Sequence, residues 1–533
     1  MINRVLIVGW DGATWDYIDP LLEEGALPNL EALIRRGTRA TLRSTIPPYT
    51  NIAWPSLMTG LSPAKTGIFD GVRRVPGGYT FIPSNLVGYR GVPIWRWVNR
   101  FRMRAGVLNV PMTYPASPLE GYMVTGFDSP RRSSHIAYPP DLLQQWDRRG
   151  HPYRVLEEEI ELMNRQNPHQ RRMALGLFLQ RWERLTIEQG EFVAWLWKAE
   201  PVDLLFVVFS VTDSVNHRTW DWEAIRRAYV AADRALGWIL EVVDEDTLIC
   251  LISDHGSTPA KRYVALYRVL SDAGWLRFRP EVALRFWRRL PGLLGGTAAA
   301  VWPRFPTPVR RLISWPLLRW DERLAVAYEN LDWEHTRVFA LTGMGMLYIN
   351  KAGRLPRGCV FPEEMPALRE EVRRYLLGLK DAEGSPLFAR VWRLEELYPD
   401  ARAEDTPPDL VVEPARWSDH IITGYPIDPL VRPIPPEREY GTHTPDGILL
   451  LAGPNVRAGA RLGSVHIVDV VPTVLAAWGL PIPEEADGRV LMEAFSRPLK
   501  ERRIASGGER RTMVLDESSR EVLDRLRALG YLE

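Results

Sequence analysis

Six aspartate and histidine residues of this chain have the types and the spacing that a metal centre requires. Three aspartates come directly after, or within four residues of, an apolar run typical of a buried strand. Carboxylate and imidazole groups are good ligands for divalent ions such as zinc and manganese, and strand ends would hold them rigidly. Six ligands suffice for two ions, which indicates two-metal hydrolysis rather than one structural site. The candidates are Asp11, Asp213, His217, Asp254, His255 and His443.

The strings around these candidates differ in how strongly they indicate a ligand. Asp254-His255 is the most informative, because an exposed Asp-His pair directly after a buried strand has few structural uses. Asp213 and His217 are four residues apart, so on a helix they would share a face and could chelate one ion. A surface ion pair has the same spacing. Asp11 is followed by glycine, and Asp-Gly is also a common turn.

Thr50 stands at the start of a helical pattern over 51–59 and has two compatible interpretations. A threonine at this position is a common helix N-cap. Free amide hydrogens and the helix dipole at the same N-terminus also stabilise an anion, which suits a nucleophile. A neutral hydroxyl is a poor nucleophile, so metal coordination would have to activate it.

Apolar runs alternate with helical patterns along the chain, and this order predicts an α/β fold with a mainly parallel sheet sandwiched by helices. Ligands of such sheets bind beyond the carboxyl ends of the strands, which is where Asp11, Asp213 and Asp254 would lie. We predict strands over 4–9, 104–110, 121–126, 203–209, 247–252, 337–341, 345–349 and 447–452. We predict helices over 28–36, 51–59, 167–198, 222–243, 366–379, 469–478 and 518–529.

The whole chain, 1–533, is predicted to form one catalytic domain that carries two insertions. Residues 128–200 are predicted to form a helical insertion. Residues 275–335 are rich in arginine and tryptophan, and nine arginines but one acidic residue lie between Arg277 and Arg319. We predict that this second insertion is a cap or lid on the core. Contact of 275–320 with an anionic membrane surface is the alternative.

The composition excludes some partners and indicates a cell compartment. A net charge of +1 leaves no overall basic footprint for a nucleic acid. The two cysteines, Cys250 and Cys359, make no disulfide framework and indicate a reducing compartment. The sequence has no signal-peptide pattern and no uninterrupted apolar run long enough for a transmembrane helix. We therefore expect a cytoplasmic protein. No pattern in the sequence indicates an oligomeric state.

Taken in order, these residues resemble the alkaline phosphatase superfamily, and most closely its type I phosphodiesterase/nucleotide pyrophosphatase-like branch. The resemblance covers nearly the whole predicted core but neither insertion. The matching strings are Val8-Gly9-Trp10-Asp11-Gly12, Thr50-Asn51-Ile52-Ala53-Trp54, Met58-Thr59-Gly60, Gly67-Ile68-Phe69-Asp70, the Asp213/His217 and Asp254/His255 strings, His443, and Val468-Asp469-Val470-Val471-Pro472-Thr473 with Leu480-Pro481 and Asp487-Gly488.

The resemblance implies a site with two divalent metal ions, zinc by preference and manganese as the alternative. One ion would be held by Asp11, Asp254 and His255. The other would be held by Asp213, His217 and His443. Thr50 would bridge toward the first ion, attack phosphorus in line and form a phosphothreonine intermediate, which water would then hydrolyse.

The chain departs from the family at one position that bears on the substrate. The nucleotide pyrophosphatases carry an asparagine, 21 residues beyond the nucleophile, that binds a phosphoryl oxygen, and Gly71 occupies this position here. Asn51 or Asn109 could replace the missing side chain. The backbone N–H of Asn51 needs no side chain and is a candidate oxyanion donor.

We therefore expect a metal-dependent hydrolase of phosphate esters, of the phosphodiesterase/nucleotide pyrophosphatase type, that acts on a small phosphorylated substrate. The alternative on the same site is a phosphomonoester, phosphonate or phospholipid-headgroup hydrolase or transferase. A sulfatase is disfavoured, because that branch needs Cys or Ser followed by x-Pro-x-Arg where this chain has Thr50-Asn51-Ile52-Ala53-Trp54. A non-catalytic relative that binds phosphorylated ligands is a further alternative, and the presence of all six ligands argues against it.

Overall fold

The computed structural model describes residues 2–74, 78–79, 81–84, 88–129, 135–148, 153–156, 168–279, 330–423, 429–436 and 439–507. In this part of the chain the strands are β1 (Arg4–Trp10), β2 (Gly37–Arg43), β3 (Val72–Arg74), β4 (Phe81–Pro83), β5 (Ala105–Val110), β6 (Gly121–Thr125), β7 (Ala137–Tyr138), β8 (Leu204–Phe209), β9 (Thr247–Ile252), β10 (Gly256–Pro259), β11 (Arg262–Ala265), β12 (Val338–Ala340), β13 (Met346–Ile349), β14 (Phe388–Arg393), β15 (Leu410–Pro414), β16 (Asp419–Ile422), β17 (Val431–Pro433), β18 (Gly441–Thr444), β19 (Asp446–Ala452), β20 (Ala460–His466), β21 (Ile482–Pro483) and β22 (Arg503–Ile504). The α-helices are α1 (Trp15–Glu23), α2 (Pro28–Arg35), α3 (Thr50–Thr59), α4 (Pro63–Thr66), α5 (Ile94–Asn99), α6 (Leu142–Asp147), α7 (Pro168–Ala199), α8 (Val211–Asn216), α9 (Trp222–Leu240), α10 (Leu266–Asp272), α11 (Met365–Gly378), α12 (Leu394–Leu397) and α13 (Val470–Trp478).

A nine-stranded sheet forms the centre of the fold, with the strand order β20-β2-β19-β9-β1-β8-β5-β6-β7. Its five middle strands, from β9 to β6, are parallel to one another. β19 runs antiparallel between β9 and β2, and β7 is antiparallel at one edge. This mainly parallel sheet with helices around it confirms the predicted fold class.

Both faces of the central sheet are buried, as near-continuous apolar strands require. In β1, Val5 and Ile7 belong to one core cluster, whereas Leu6 and Val8 belong to the other. α3 packs into the first of these clusters, and α9 packs into the second. Because helices cover both faces, a binding site on this sheet has to form at the ends of its strands.

A short strand pairing carries a late part of the chain to the carboxyl edge of the sheet. β10 begins directly after His255 and pairs antiparallel with β18. In this pairing Ser257 lies opposite His443. The pairing therefore brings His443 next to His255, although the two histidines are far apart in the sequence.

Two smaller sheets lie beside the central one. The first is antiparallel, with the order β12-β13-β15-β14, and α11 packs on β14. The apolar residues Leu368, Val372 and Leu376 recur every four positions along α11 and are buried. The second small sheet has the order β16-β11-β17 and follows β10 along the chain. It places β16 close to the carboxyl edge of the central sheet.

The predicted strands and helices agree with the structure to within a few residues wherever the chain is described. The predicted helix 518–529 and most of the arginine-rich segment, 280–329, lie outside the described residues. The sequence patterns do not predict β2 or β20. Both strands mix polar and charged residues with few apolar ones, and β20 lies at a sheet edge, where apolar patterning is weak.

Part of the segment predicted as a helical insertion forms a layer of the core. α7 packs along α9, and Trp182, Phe192 and Trp197 of α7 belong to the second core cluster. The domain boundaries at 128–200 and 275–335 stay predictions. No helix among the described residues, α7 included, has both the length and the apolar character to cross a membrane.

Asp233 of α9 fixes the start of α2. Its carboxylate is buried and accepts hydrogen bonds from the backbone N–H groups of Asn29 and Leu30, at 3.3 and 2.8 Å. The residue at the N-cap position of α2, Leu27, makes no side-chain cap. An aspartate from a neighbouring helix therefore takes the place of a local cap.

We predict that Asp233→Ala lowers the free energy of unfolding by about 1–3 kcal/mol, because two buried N–H groups lose their acceptor. Urea unfolding followed by tryptophan fluorescence measures this change. Glu245→Ala is the control, since Glu245 is an exposed carboxylate, and it should change stability by less than about 0.5 kcal/mol. Equal effects of the two substitutions would show that α2 does not depend on Asp233.

Candidate metal centre

Three neighbouring parallel strands end at the same edge of the central sheet, and an aspartate follows each of them. β1 lies between β8 and β9, and Gly9 is in register with Val208 on one side and Ile252 on the other. Asp11 follows β1, Asp254 follows β9, and Asp213 lies on α8, which begins just after β8. The parallel pairing therefore delivers all three carboxylates to one place.

Three hydroxyl groups hold the loop that carries Asp11. Thr212 Oγ1 donates to the carbonyl of Asp11, Ser257 Oγ to that of Gly12, and Ser253 Oγ to that of Ala13. The loop turns at Gly12, which has φ +66°, and a Cβ there would lie 2.8 Å from Asp213 Oδ1. A side chain at position 12 would therefore collide with a candidate ligand, so the loop requires glycine.

The first group of ligands, which we call the Asp11 cluster, consists of Asp11, Asp254 and His255. Their ligand atoms all lie within 4.8 Å of one another. His255 Nε2 is 3.4 Å from Asp254 Oδ2 and 3.7 Å from Asp11 Oδ1. All three side chains are fully buried.

In each carboxylate of the Asp11 cluster, one oxygen accepts a hydrogen bond from the protein and the other accepts none from the described residues. Trp54 Nε1 donates to Asp11 Oδ2 at 3.1 Å, and the backbone N–H of Gly12 donates to Asp254 Oδ1 at 3.3 Å. Asp11 Oδ1 and Asp254 Oδ2 are buried and have no hydrogen-bond donor. Buried carboxylate oxygens without a donor that converge on an imidazole nitrogen fit a cation.

The second group, the Asp213 cluster, consists of Asp213, His217 and His443. His217 Nε2 lies 3.2 Å from Asp213 Oδ2 and 3.1 Å from His443 Nε2, and His443 Nε2 lies 3.7 Å from Asp213 Oδ1. His255 is shared, because its ligand atom also lies within 4.8 Å of those of Asp213 and His443. The rings of His255 and His443 stack with their centroids 3.8 Å apart. The two clusters are therefore adjacent.

Backbone carbonyls fix the tautomers of the two stacked histidines. His443 Nδ1 lies 3.0 Å from the carbonyl of Pro48, and His255 Nδ1 lies 3.0 Å from that of Gly256. A carbonyl only accepts, so each Nδ1 carries the proton and donates it. Each Nε2 then turns a lone pair toward the carboxylates, which is the orientation that a metal ligand needs.

Burial makes the carboxylates of the site costly to ionise. Burial, reinforced by the charges of Asp254 and Asp213, raises the pKa of Asp11 well above its usual value, and burial likewise raises the pKa of Asp254. Burial opposes ionisation of Asp213 too, but the charge and hydrogen bond of His217 keep the pKa of Asp213 below its usual range. Burial lowers the pKa of His443, which favours the neutral imidazole. Bound cations would offset the cost of the buried negative charge.

Thr50 contacts this site from the first turn of α3, and Asn51 is the next residue of the helix. Tyr49 occupies the N-cap position, so Thr50 is the first helical residue and does not cap the helix. Thr50 Oγ1 is fully buried and lies 3.1 Å from His255 Nε2. Asn51 is also fully buried, and neither polar atom of its side chain has a hydrogen-bond partner. Both residues therefore keep polar groups available for a ligand.

His420 lies close enough to the Asp213 cluster for its imidazole to interact with that of His217. Its Nδ1 is 2.9 Å from the hydroxyl of Tyr440, three residues before His443. Burial, with the charge of His217, lowers the pKa of His420 to about 4. The pairing of β16 with β11 positions His420, and no local sequence signal indicates this long-range pairing.

Gly71 occupies a turn that is built around a buried carboxylate. Its N–H donates to Asp70 Oδ1 at 2.6 Å, and Thr342 Oγ1 donates to the same oxygen at 2.9 Å. Burial raises the pKa of Asp70 to about 7. This carboxyl joins the segment after α4 to the loop between β12 and β13.

Candidate metal ligands at the carboxyl ends of parallel strands, on a sheet covered by helices, fit a metal-dependent enzyme of the α/β class. Residues 5–446 match the family of type I phosphodiesterases/nucleotide pyrophosphatases, and the chain belongs to that family. Family membership indicates a hydrolase of phosphate esters that depends on divalent metal ions, and the two clusters supply candidate ligands for them.

Two solved structures illustrate the shared fold. Murine ectonucleotide pyrophosphatase/phosphodiesterase 5 is 13% identical with a TM-score of 0.51, over 92% of this chain and 100% of that one. Phosphonoacetate hydrolase from Sinorhizobium meliloti 1021, in complex with phosphonoformate, is 15% identical with a TM-score of 0.54, over 88% of this chain and 94% of that one. At these identities the likeness concerns the fold alone.

One curated protein matches a short segment of the sequence. A 2,3-bisphosphoglycerate-independent phosphoglycerate mutase from Cereibacter sphaeroides is 47% identical over 53 residues. The matched segment spans 10% of this chain and 10% of the mutase. The likeness is therefore confined to a small part of both proteins.

We predict that Trp54→Phe lowers the affinity for zinc by about 10- to 100-fold, because the indole N–H that orients Asp11 is lost. Competition with a chromogenic chelator measures the affinity. Trp97→Phe is the matched control, since Trp97 is equally buried but donates to the carbonyl of Pro481, 2.7 Å away. If both variants bind zinc like the parent protein, Trp54 does not position Asp11.

The raised pKa of Asp70 predicts a pH-dependent stability difference. The unfolded chain ionises Asp70 near pH 4, whereas the folded protein keeps it protonated up to about pH 7. Its stabilising effect is therefore complete below about pH 4 and is lost as the pH rises toward 7. Asp70→Asn removes this loss, so its stability relative to the parent should rise by about 2 kcal/mol between about pH 5 and pH 7.

Urea unfolding at several pH values checks this expectation. Asp400→Asn, at an exposed aspartate, serves as the control and should show a constant difference from the parent protein. A constant difference for Asp70→Asn as well would contradict the raised pKa.

Proposed function

We propose that the protein is a phosphodiesterase of the nucleotide pyrophosphatase type that uses Thr50 as nucleophile and two divalent ions. The contact between Thr50 Oγ1 and His255 Nε2, 3.1 Å, carries this proposal. His255 belongs to the Asp11 cluster and also lies beside the Asp213 cluster. A hydroxyl in contact with this shared ligand, at a helix N-terminus, is suited to attack a phosphate bound between the clusters.

In the proposed reaction, Thr50 Oγ1 forms a bond to phosphorus while the bond to the leaving oxygen breaks. The product of this step is a phosphothreonine that keeps the second ester group of the substrate, and water then releases the phosphomonoester and restores the hydroxyl. The lone pair of His255 Nε2 faces the Thr50 hydroxyl, which lies 3.1 Å away. This contact holds Oγ1 at the site.

The donor set favours zinc, with manganese as the alternative, because each cluster mixes carboxylate oxygens with imidazole nitrogens. The Asp11 cluster would hold one ion and the Asp213 cluster the other. When bound, the ions would lower the pKa of the attacking hydroxyl and stabilise the charge on the phosphoryl oxygens. The residues of the chain fix the ligand orientation and exclude water.

Asn51 is the proposed donor to a phosphoryl oxygen. Its backbone N–H lies in the first turn of α3, where N–H groups have no partner within the helix. Its side-chain amide is buried and has no hydrogen-bond partner in the protein. Two donors on the residue next to Thr50 would stabilise the charge that develops during attack. They would take over the role of the asparagine that is absent at Gly71.

Other proposals rest on the sequence alone. The substrate is a small phosphorylated molecule, and the two free cysteines are consistent with a cytoplasmic location. Membrane contact through 275–320 involves residues of which most lie outside the described part of the chain.

We predict that the zinc- or manganese-loaded protein hydrolyses bis-p-nitrophenyl phosphate and that Thr50→Ala lowers kcat by at least about 10³-fold. Thr59→Ala is the matched control, because Thr59 is a buried threonine at the other end of α3 whose hydroxyl donates to the carbonyl of Pro55. It should retain the activity of the parent protein. Metal content is measured for every variant, so that loss of the nucleophile is distinguished from loss of the ions.

The same assay with p-nitrophenyl phosphate separates the proposed function from its alternatives. Faster turnover of this monoester than of the diester would make the protein a phosphatase. Turnover of neither ester, with metal bound, would exclude the phosphodiesterase and leave phosphonates, phospholipid headgroups or a non-catalytic binding role. Diester turnover that persists in Thr50→Ala would refute the nucleophile.

A further inference from the structure

Asn109 lies at the same edge of the sheet as the two metal clusters, but beside them. It is the penultimate residue of β5, and β5 is the parallel neighbour of β8. The order β9-β1-β8-β5 puts the end of β5 two strand spacings, about 10 Å, from the end of β1. A side chain at this point reaches the flank of a ligand whose phosphate lies between the clusters.

A β-bulge turns Asn109 out of the regular strand alternation. The register of β5 with β6 shifts between Leu108 and Val110, so Asn109 is the extra residue, and its φ is +59°. Val107 and Val110 face the first core cluster. Leu108 faces the second core cluster, and so does Tyr153, which is the hydrogen-bond partner of Asn109. A β-bulge that holds a non-glycine residue at positive φ is energetically costly. Such bulges are typical of positions where the altered backbone turns a side chain toward a functional site.

The side-chain oxygen of Asn109 has a hydrogen-bond partner, whereas its side-chain nitrogen has none among the described residues. The hydroxyl of Tyr153 donates to Asn109 Oδ1 at 2.8 Å, and burial raises the pKa of Tyr153, so the hydroxyl keeps its proton. The ring of Tyr153 packs against Phe192 with 4.2 Å between ring centroids. Asn109 Nδ2 is buried and has no hydrogen-bond acceptor. The tyrosine therefore fixes the amide with its two N–H groups directed away from it.

We propose that Asn109 Nδ2 donates a hydrogen bond to an oxygen of the substrate group next to the scissile phosphate. This inference rests on the proposed function and names a substrate class for it. The class is a phosphate ester whose neighbouring group presents an oxygen acceptor, either a second phosphate or a carboxylate. Asn109 lies one strand spacing beyond β8 and two beyond β1, so its amide lies beside the two clusters rather than between them. Tyr153 is the positioning residue for this donor.

Three phosphonate probes test this subsite through binding, and an assay for released phosphate confirms that none of them is hydrolysed. Methylphosphonate has no second group, methylenediphosphonate has a second phosphonate, and phosphonoacetate has a carboxylate. Titration calorimetry of the metal-loaded protein measures the affinity for each. We expect at least one of the two bifunctional probes to bind more tightly than methylphosphonate, and the tighter of the two identifies the second group.

The variant Asn109→Gly removes the amide and tolerates the positive φ. It should weaken binding of the preferred bifunctional probe by about 10-fold and that of methylphosphonate by less than about 2-fold. Tyr153→Phe should weaken the same probe by a smaller factor. Metal content should stay unchanged in both variants.

Asn455→Gly is the matched control, because Asn455 also has a positive φ of 68° and lies just beyond β19, at the opposite edge of the sheet. It should bind all three probes like the parent protein. Equal losses for all probes in Asn109→Gly, or no loss for any, would overturn the subsite, as would equal binding of all three probes by the parent protein.

The proposed function and the proposed subsite can be refuted independently of each other. If the binding differences hold but neither ester is hydrolysed in a Thr50-dependent way, the subsite stands and the phosphodiesterase reaction does not. If the esters are hydrolysed and the binding differences are absent, the reaction stands and the subsite is refuted.

Discussion

Three carboxylates and three imidazoles converge at one edge of the sheet, and the carboxylates are buried. Asp11 and Asp254 are fully buried, and Asp213 is 1% exposed. Negative charge at such buried positions is strongly unfavourable unless cations compensate it. Two divalent ions, as proposed, would bring four positive charges against three carboxylates and leave about one positive charge in excess. That excess would match the single negative charge of a phosphodiester, the proposed substrate.

The scaffold meets this constraint by fixing the ligands before any ion arrives. Hydroxyls of Thr212, Ser253 and Ser257 hold three successive carbonyls of the loop from Asp11. Each of these hydroxyls comes from a segment that follows β8 or β9, so the three neighbouring strand ends are tied to one another rather than only to their own loops. Backbone carbonyls fix the tautomers of His255 and His443 in the same way. Preorganised ligands of this kind cost little rearrangement on metal binding.

The sequence predicts the sheet, its parallel core and the strand-end aspartates, because buried parallel strands read as continuous apolar runs and their ends are short loops. It does not predict that His255 lies between the clusters, since this depends on the antiparallel pairing of β10 with β18. The same limit applies to His420, which reaches the site through β16 and β11. Long-range pairings of short strands leave no local period in the sequence. The bulge at Asn109 is also invisible there, because an asparagine in an apolar run reads equally well as an irregularity or as a strand end.

At the carboxyl edge of the sheet, the side chains change from charged to neutral between the central strands and the next strand outward. The three central strands deliver charged ligands, and the next strand, β5, ends in a neutral amide whose orientation a tyrosine sets. Charged ligands determine that a phosphate binds, and they act on any phosphate ester alike. A neutral donor contributes little to binding of the phosphate but discriminates between substrates, because it remains unpaired when the neighbouring group has no acceptor. Chains with the same metal ligands can therefore differ in substrate through the neutral groups around them. In this chain, two such differences are the absence of an asparagine at Gly71 and the strained conformation of Asn109.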